Sequence, residues 1–547
     1  MRNRFGGSEM FRVTDQESLF AITIDEPQAP EFKITRLTGT EAISTLFEFR
    51  LQMVTAGEVP DLQTLVGKKV TLAIRSDVTA NPHYYHGIFS EIEQQDRTNN
   101  LNYFRAILVP RLWQATLNKT NDVATRVTPI DLITQKLKEA GFSSDDFLIT
   151  MTQSYETKDF MAQYEESHFA FISRTMEYRG VYYFFEHGTT KEDLDVLHII
   201  DHTRAHPAQA IGLVYTPQEN IKAGSTQGLV TNLFCKSRLH PTSVTLTGYN
   251  PWKAALQPQM RNTANVPGTG VGDVMEFDGK PETTDEIQLL SKIYAEQIAC
   301  QSKVFSAKAF TAGIRSGYFV EISKHWQADF NTTLLVTRVT HTGTQSFAAI
   351  GIKVAASLEG SAQTVYECSF EAIAADTQFR PARVTPKPKI AGLLNAKIDP
   401  GANPPTDNSS AVLQNGQYKV QPFFIKEAKS PGNGSSPIRM LTPSAGSQSG
   451  ALFGLLGGTE VLLGFVNGDP DLPVIVGAAF NSEDKSVLDS SNTYENVIRT
   501  NSGTSILFDD STRKEKILIF SQGSSIVVGK EGNTLLQNFT DDLFSVF

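Results

Sequence analysis

At 547 residues the chain is long enough for roughly three or four domains of ~100–200 residues each. Its 40% hydrophobic and 20% charged residues are ordinary for a folded globular protein, and 34 phenylalanines supply large cores. A formal net charge of −10 argues against nucleic acid or an anionic membrane as partner, because Lys and Arg have to neutralise phosphates there. Cys235, Cys300 and Cys368 lie far apart with no CxxC pair, so neither a disulfide framework nor a zinc cluster is expected, and an odd thiol count suits a reducing cytoplasm. The first residues, Met-Arg-Asn-Arg-Phe-Gly-Gly-Ser-Glu, offer no apolar run to a signal peptide. The longest apolar stretch, 451–466, is broken by Thr459 and Glu460 and falls short of the ~20 residues that cross a bilayer. Synthesis in the cytoplasm, with any export by an unusual route, is the expectation.

From Phe11 to about Val109 the pattern is mostly strands, with Phe32–Leu37, Leu46–Met53, Val70–Ile74 and Tyr103–Leu108 alternating or apolar between turn-formers. A helix follows. Thr128 suits its N-cap, Pro129 its first position, Ile130, Ile133 and Leu137 recur on one face, and Gly141 ends it. Ser167 can cap a second helix whose Phe169, Ile172 and Met176 face one way, until Gly180 stops it and Val181–Phe185 starts a strand. A third helix is predicted from about Thr284 to Cys300, with Ile287, Leu290 and Ile293 periodic.

Around Phe379 the chain turns proline-rich, in Phe379-Arg-Pro-Ala-Arg-Val-Thr-Pro-Lys-Pro-Lys-Ile and again after Asp399, which places a domain boundary there. Strands and turns fill the chain from there to Asn481. The last segment has its own period: short apolar clusters begin at Val497, Ile506, Ile517, Ile526 and Leu535, at spacings of 9, 11, 9 and 9. A strand of three or four residues cannot bury its own apolar face, so regularly repeated short strands stack or wind around copies from other chains. A single thin ribbon of this kind has no core of its own, so something is expected to wrap with it.

Two blocks carry a family resemblance. Ser173-Arg-Thr-Met-Glu-Tyr-Arg-Gly-Val-Tyr-Tyr-Phe-Phe-Glu-His187 resembles the most characteristic segment of the VgrG spike proteins, and Gly458-Thr-Glu-Val-Leu-Leu-Gly-Phe-Val-Asn-Gly-Asp-Pro-Asp-Leu-Pro-Val-Ile-Val-Gly-Ala-Ala-Phe-Asn481 resembles that family's OB-fold signature. The joint between them, with Phe379-Arg-Pro and Pro386-Lys-Pro, matches as well. The tryptophans that the family often has near Ser436–Met440 and Leu452–Gly454 are absent here, which leaves open a type VI secretion tip or its counterpart in extracellular phage-tail-like particles. The resemblance implies a mainly β fold with some α: tail-hub-like β-barrel domains over 1–378, a linker over 379–410, an OB-fold β-barrel over 411–482, and a trimeric intertwined β-helix over 493–547. It also implies a spike that caps the inner tube, pierces a target membrane and carries effectors. Its expected partners are the inner tube protein, baseplate proteins, a conical tip protein of the PAAR-repeat type and effector cargo. Such a spike is assembled in the baseplate and leaves with the machine's contraction.

Candidate chemistry is weak beside this. His198, Asp201, His202 and His206 best imitate a metal site, but no HExxH is present, Pro207 follows at once, and Val196–Ile200 reads as a strand that sends His198 and His202 the same way. His83 and His86 flank Tyr84-Tyr85 as a strand beside a turn. Glu165 and Glu166 precede a helix whose dipole they suit. Asp469 and Asp471 bracket Pro470 as turn residues. Gly268-Thr-Gly-Val-Gly is one residue short of a dinucleotide loop, Gly529-Lys530 lacks the Ser or Thr of a P-loop, and there is no GxSxG. No enzyme, cofactor or metal is expected, nor an enzymatic domain after the β-helix; toxicity would come from cargo. Apolar groups at Leu543, Phe544, Val546 and Phe547 are the expected tip-partner contacts, the alternative being that they fold inward and close the prism. A contractile phage baseplate hub is the competing reading within the class, and it would be favoured by a lysozyme-like insert for which Asn481 to Thr493 is too short. An OB-fold hydrolase or carbohydrate-binding protein is disfavoured, since Trp113, Trp252 and Trp326 all lie outside the OB segment.

Overall fold

Period-two alternation drives the first fifth of the chain into strands that bury one face each. The structure, a computed structural model, describes residues 18–98, 100–220, 228–352, 364–402, 409–447, 449–521, 524–529 and 534–538. The chain divides into two units: 1–119, 128–156 and 166–387 form one, and 120–127, 157–165 and 388–547 the other. No helix among the described residues is long and apolar enough to cross a membrane.

In the first unit, β1 (Phe20–Ile24), β2 (Lys33–Ala42), β3 (Thr45–Thr55), β4 (Lys69–Ile74), β5 (His83–Thr98) and β6 (Leu101–Val109) run in the order β1-β4-β5-β6-β3-β2. Ile34, Leu37, Phe49, Leu51, Leu72, Phe89, Phe104 and Leu108 are buried among them. Gly39 is required on β2, because a Cβ there would stand 2.2 Å from the Phe49 ring that crosses it. β7 (Thr120–Val127) and β9 (Lys158–Glu166) pair with each other and, Glu166 apart, belong to the second unit.

Helix α1 (Pro129–Glu139) starts as the sequence predicts, with the Thr128 hydroxyl accepting from the Asp131 N–H. Strand β8 (Phe147–Thr150) follows, and helix α2 (His168–Arg179) is capped by Ser167 and ended by Gly180 at φ +67°. β10 (Tyr182–His187) and β11 (Asp195–Ile200) then form a sheet in the order β10-β11-β8.

The remaining strands of this unit are β12 (Ala210–Tyr215), β13 (Leu229–Ser237), β14 (Ser243–Gly248), β15 (Arg261–Asn265), β16 (Asp273–Asp278), β17 (Lys303–Ala309), β18 (Phe319–Ser323), β19 (Thr333–Thr344) and β20 (Val365–Ala374). Helix α3 spans Thr284–Cys300, and its Ile287 and Leu290 are buried with Val244 and Leu246 of the β15-β14-β16 sheet. The other six strands run β19-β18-β12-β13-β17-β20, and β20 pairs with β19 again, so the ring closes and leaves no free edge. β19 also pairs with β2, from Arg338↔Ala42 to Thr344↔Arg36, joining the two strand systems. Just past β19, the buried Gln345 amide replaces missing ladder bonds: Oε1 accepts from the Leu19 and Phe20 N–H groups, and Nε2 donates to the Phe20 and Ile34 carbonyls.

In the second unit, β21 (Leu394–Ile398) lies within the stretch expected as linker. It takes part in a sheet with β23 (Val420–Pro422), β27 (Glu460–Phe465) and β28 (Pro473–Ala478), in the order β23-β21-β27-β28. β22 (Gln417–Tyr418) pairs with β24 (Ile438–Arg439), and β25 (Ser444–Gly446) with β26 (Ser449–Ala451). Ala396, Ile398, Tyr418, Val420, Val461, Leu463 and Ile475 make the core. The last strands, β29 (Glu495–Arg499), β30 (Ser505–Asp509), β31 (Lys516–Ser521), β32 (Ser524–Gly529) and β33 (Thr534–Asn538), follow the period read from the sequence and form an antiparallel meander within one chain.

Candidate functional site

The segment with the sharpest sequence signature is the anchor of a joint. Glu166, just ahead of α2, takes the Arg174 guanidinium bidentately at 2.6 and 2.9 Å in a buried pair, while the capping itself is done by Ser167. Glu177 accepts from the Val384 N–H (3.0 Å), the Thr385 N–H (2.9 Å) and the Thr385 hydroxyl (2.6 Å). Burial pushes the Glu177 carboxyl above its ordinary range, although these three donors pull the other way. Arg380 is 2% exposed, donates to the Gly180 and Asp201 carbonyls at 2.8 and 2.6 Å, and pairs with Glu296 on α3 at 2.8 Å. A Cβ on Gly180 would meet Ile293 at 2.7 Å and the Arg380 Cδ at 2.9 Å. Phe379 packs edge-on against Tyr182 at 4.9 Å. Residues 379–385, whose prolines suggest a linker, are therefore tied down along their length.

The OB-like signature is tied to β7 and β9 within the second unit. Asp469 accepts from the Asp471 N–H inside the turn, as its sequence suggests, but Asp471 also reaches the Ala162 N–H on β9 at 2.8 Å. Asn121 on β7 bonds the Lys426 N–H through its carbonyl, Asp122 pairs with Lys429, and Tyr164 packs edge-on against Phe424. Nothing in the spacing of residues 120 and 471 announces this.

In the meander neither face is buried. Cross-strand partners Ile498, Ile506, Ile519 and Ile526 share one face with Phe508, Ile517 and Val528. Ile498 is 44% exposed, Phe508 39%, Ile517 38%, Ile519 42%, Ile526 37% and Val528 40%. Val497, Leu507, Leu518 and Val527 face the other way and are half-buried. None of these side chains belongs to the unit's core.

The suspected metal ligands are dispersed. His198 pairs with Glu186 at 2.6 Å and stacks on Phe184. β11 ends at Ile200, so His202 lies beyond the strand and caps a short turn by accepting from the Arg204 N–H. His206 Nδ1 contacts the Gly317 carbonyl at 2.8 Å, and burial lowers its pKa to about 4. Asp201 accepts from Thr152, Gln153 and Tyr155. Among the described residues no three His, Cys, Asp or Glu side chains are placed to hold a metal ion. Leu543, Phe544, Val546 and Phe547 lie outside the described residues.

The first unit thus holds two fused strand systems, one a closed barrel, and the second carries a ribbon whose described apolar side chains stay exposed. The chain belongs to the phage tail baseplate hub (GPD) family, whose pattern matches residues 40–347, more than half of its length. The VgrG resemblance of its motifs is borne out by relatives. The type VI secretion system spike protein VgrG1c of Pseudomonas aeruginosa is 26% identical over 465 residues, 84% of this chain and 62% of that protein. The actin cross-linking toxin VgrG1 of Vibrio cholerae is 23% identical over 499 residues, 87% of this chain and 43% of that protein. The chain thus spans less than two thirds of either relative. Among solved structures, the Escherichia coli c3393 protein, described as a type VI secretion component similar to the T4 tail proteins gp27 and gp5, matches with a TM-score of 0.59 at 18% identity, covering 84% of this chain and 99% of that one. A chain of the Francisella PdpA-VgrG complex matches with a TM-score of 0.63 at 11% identity, covering 95% of this chain and 87% of that one. These likenesses concern the fold.

Proposed function

We propose that the protein is the structural spike and hub of a contractile injection machine of the type VI secretion kind, acting as a homotrimer and without catalysis of its own. The observation that carries this reading is the ribbon of β29 to β32, which exposes large apolar side chains that no core among the described residues takes in. Three copies wound together give the exposed apolar faces the cover that one chain lacks, in the form of a threefold β-helix, with the strands before the ribbon as an OB-fold barrel. In this reading the hub caps the inner tube and meets baseplate proteins. Effector cargo, including any toxic enzyme, rides on the spike, which is made in the cytoplasm and injected on contraction. A PAAR-like tip protein docks on Leu543, Phe544, Val546 and Phe547.

Light scattering on the purified protein tests the core of this reading, with three times the 60.2 kDa chain mass expected. A stable monomer with an ordered ribbon would refute it. For the tip, a variant lacking residues 543–547 is expected to stay trimeric and lose capture of the tip protein, and unchanged capture would remove those residues from the docking surface.

A further inference from the structure

Four of the ten histidines, His83, His86, His187 and His341, gather around one segment of the first unit, residues 311–317. That segment lies between β17 and β18 and is gripped by strands of the other strand system. The Arg315 guanidinium stacks over Tyr85 at 5.0 Å and donates to the Tyr84 carbonyl at 2.7 Å. Ser316 donates through N–H and hydroxyl to Glu41 on β2, at 3.2 and 3.0 Å. Gly313, at φ +94°, lies flat against the His83 ring, where a Cβ would come within 2.4 Å.

We propose that residues 311–317 form an acid-released latch: protonation of His83, His86 and His187 sets like charge against Arg315 and lifts the segment off β2 and β5. The hydrogen bonding at His187 supplies the geometric reason. Its Nδ1 accepts the His86 backbone N–H at 3.0 Å, and its Nε2 is buried without a partner. A second ring proton has to sit on Nδ1, where it opposes that N–H and breaks the bond. Little nearby charge compensates. Lys69 from β4 adds a positive charge, and Asp193, ahead of β11, is a half-buried carboxylate already engaged by the Thr190 N–H. Glu41 already receives Tyr85, His341 and both Ser316 donors, while His341 meets Tyr366, and Tyr366 and Cys368 bring no compensating charge.

Burial lowers the pKa of all three histidines, that of His83 to about 4, and the Arg315 charge acts in the same direction on each. A histidine depressed in the closed form stabilises it above its ordinary pKa of 6.5, and that stability is lost as the pH falls toward 4. For a group like His83, freed on opening, the opening equilibrium rises on the order of 50–100-fold between about pH 7.5 and pH 4.5.

Hydrogen exchange of residues 311–317 in the intact protein, corrected for intrinsic rates across that range, reads this opening directly. The wild type is expected to open at least ~50-fold more at the acid end, with α3 unchanged. His83→Gln should remove most of its share of the rise, and Arg315→Gln, which leaves every histidine and its burial in place, should reduce it independently. Acid-insensitive exchange in the wild type overturns the latch. So does an acid response that persists in full in Arg315→Gln, even if His83→Gln fails to fold.

Discussion

Placing a carboxylate in the ribbon, Ile519→Asp, should dissolve the trimer while leaving the first unit folded. Ile519 sits in the middle of β31, between Ile506 and Ile526 on its neighbours, and is 42% exposed in the single chain. Full burial of such a side chain is worth about 1.5–3 kcal/mol, so its remaining exposure represents ~0.6–1.2 kcal/mol. Six such side chains, exposed between 37% and 44%, give ~4–7 kcal/mol per chain that only association can recover. An aspartate forfeits its share and adds the cost of drying an unpaired carboxylate, several kcal/mol, three times over in a threefold assembly. Sedimentation velocity over a micromolar dilution series measures the outcome. The wild type should hold as a trimer, Ile519→Val should match it, and Ile519→Asp should run as a 60.2 kDa monomer with its ribbon amides unprotected. A trimer that tolerates Ile519→Asp with unchanged dissociation would show that the exposed face is not what the copies bury.

Arg111→Leu leaves Asp195, 2% exposed, without the guanidinium that holds it at 2.7 Å, and also cuts the bond to Asp146. Burial already pushes the Asp195 carboxyl up, so a loss of about 3–5 kcal/mol is expected in urea unfolding of the first unit, and a loss below ~1 kcal/mol would contradict it. Gly180→Ala forces a Cβ against Ile293 and Arg380 at a left-handed position, with an expected cost of ~1–3 kcal/mol and faster proteolysis at residues 379–387; a neutral substitution in both assays would mean that the joint is not anchored there. Native alkylation at mildly alkaline pH should modify half-exposed Cys235 first. Cys300 and Cys368 are buried, their thiols pushed up to about 11 and about 12, so prompt labelling of either would contradict the packing of α3 or β20.

Much of the secondary structure was legible in the sequence because its signals are local. Thr128 with Pro129, Ser167 with Gly180 and the Thr284–Cys300 periodicity each act within a few turns of chain, and the structure places helices there. The ribbon's strands are equally local, since each cluster and its turn lie within about ten residues. What the tertiary structure alone decided are pairings between residues far apart, where a sequence offers many candidate partners of the same type. Gln345 could have been any polar residue after a strand, until β1 and β2 came within reach of its amide. Glu177 lies inside a helix, and the fold gave it the Val384 and Thr385 donors, 207 and 208 residues further on. Asp471 read as turn chemistry, and only the docking of β9 against it showed the tether. The histidines were misleading for the same reason: His198 and His202 are close in sequence but split by the end of β11, whereas His86 and His187, a hundred residues apart, meet near Arg315. Period and capping are read over a few residues. A buried charge finds its partner only once the chain has closed around it, because desolvation selects whichever complementary group the fold has brought within hydrogen-bonding distance.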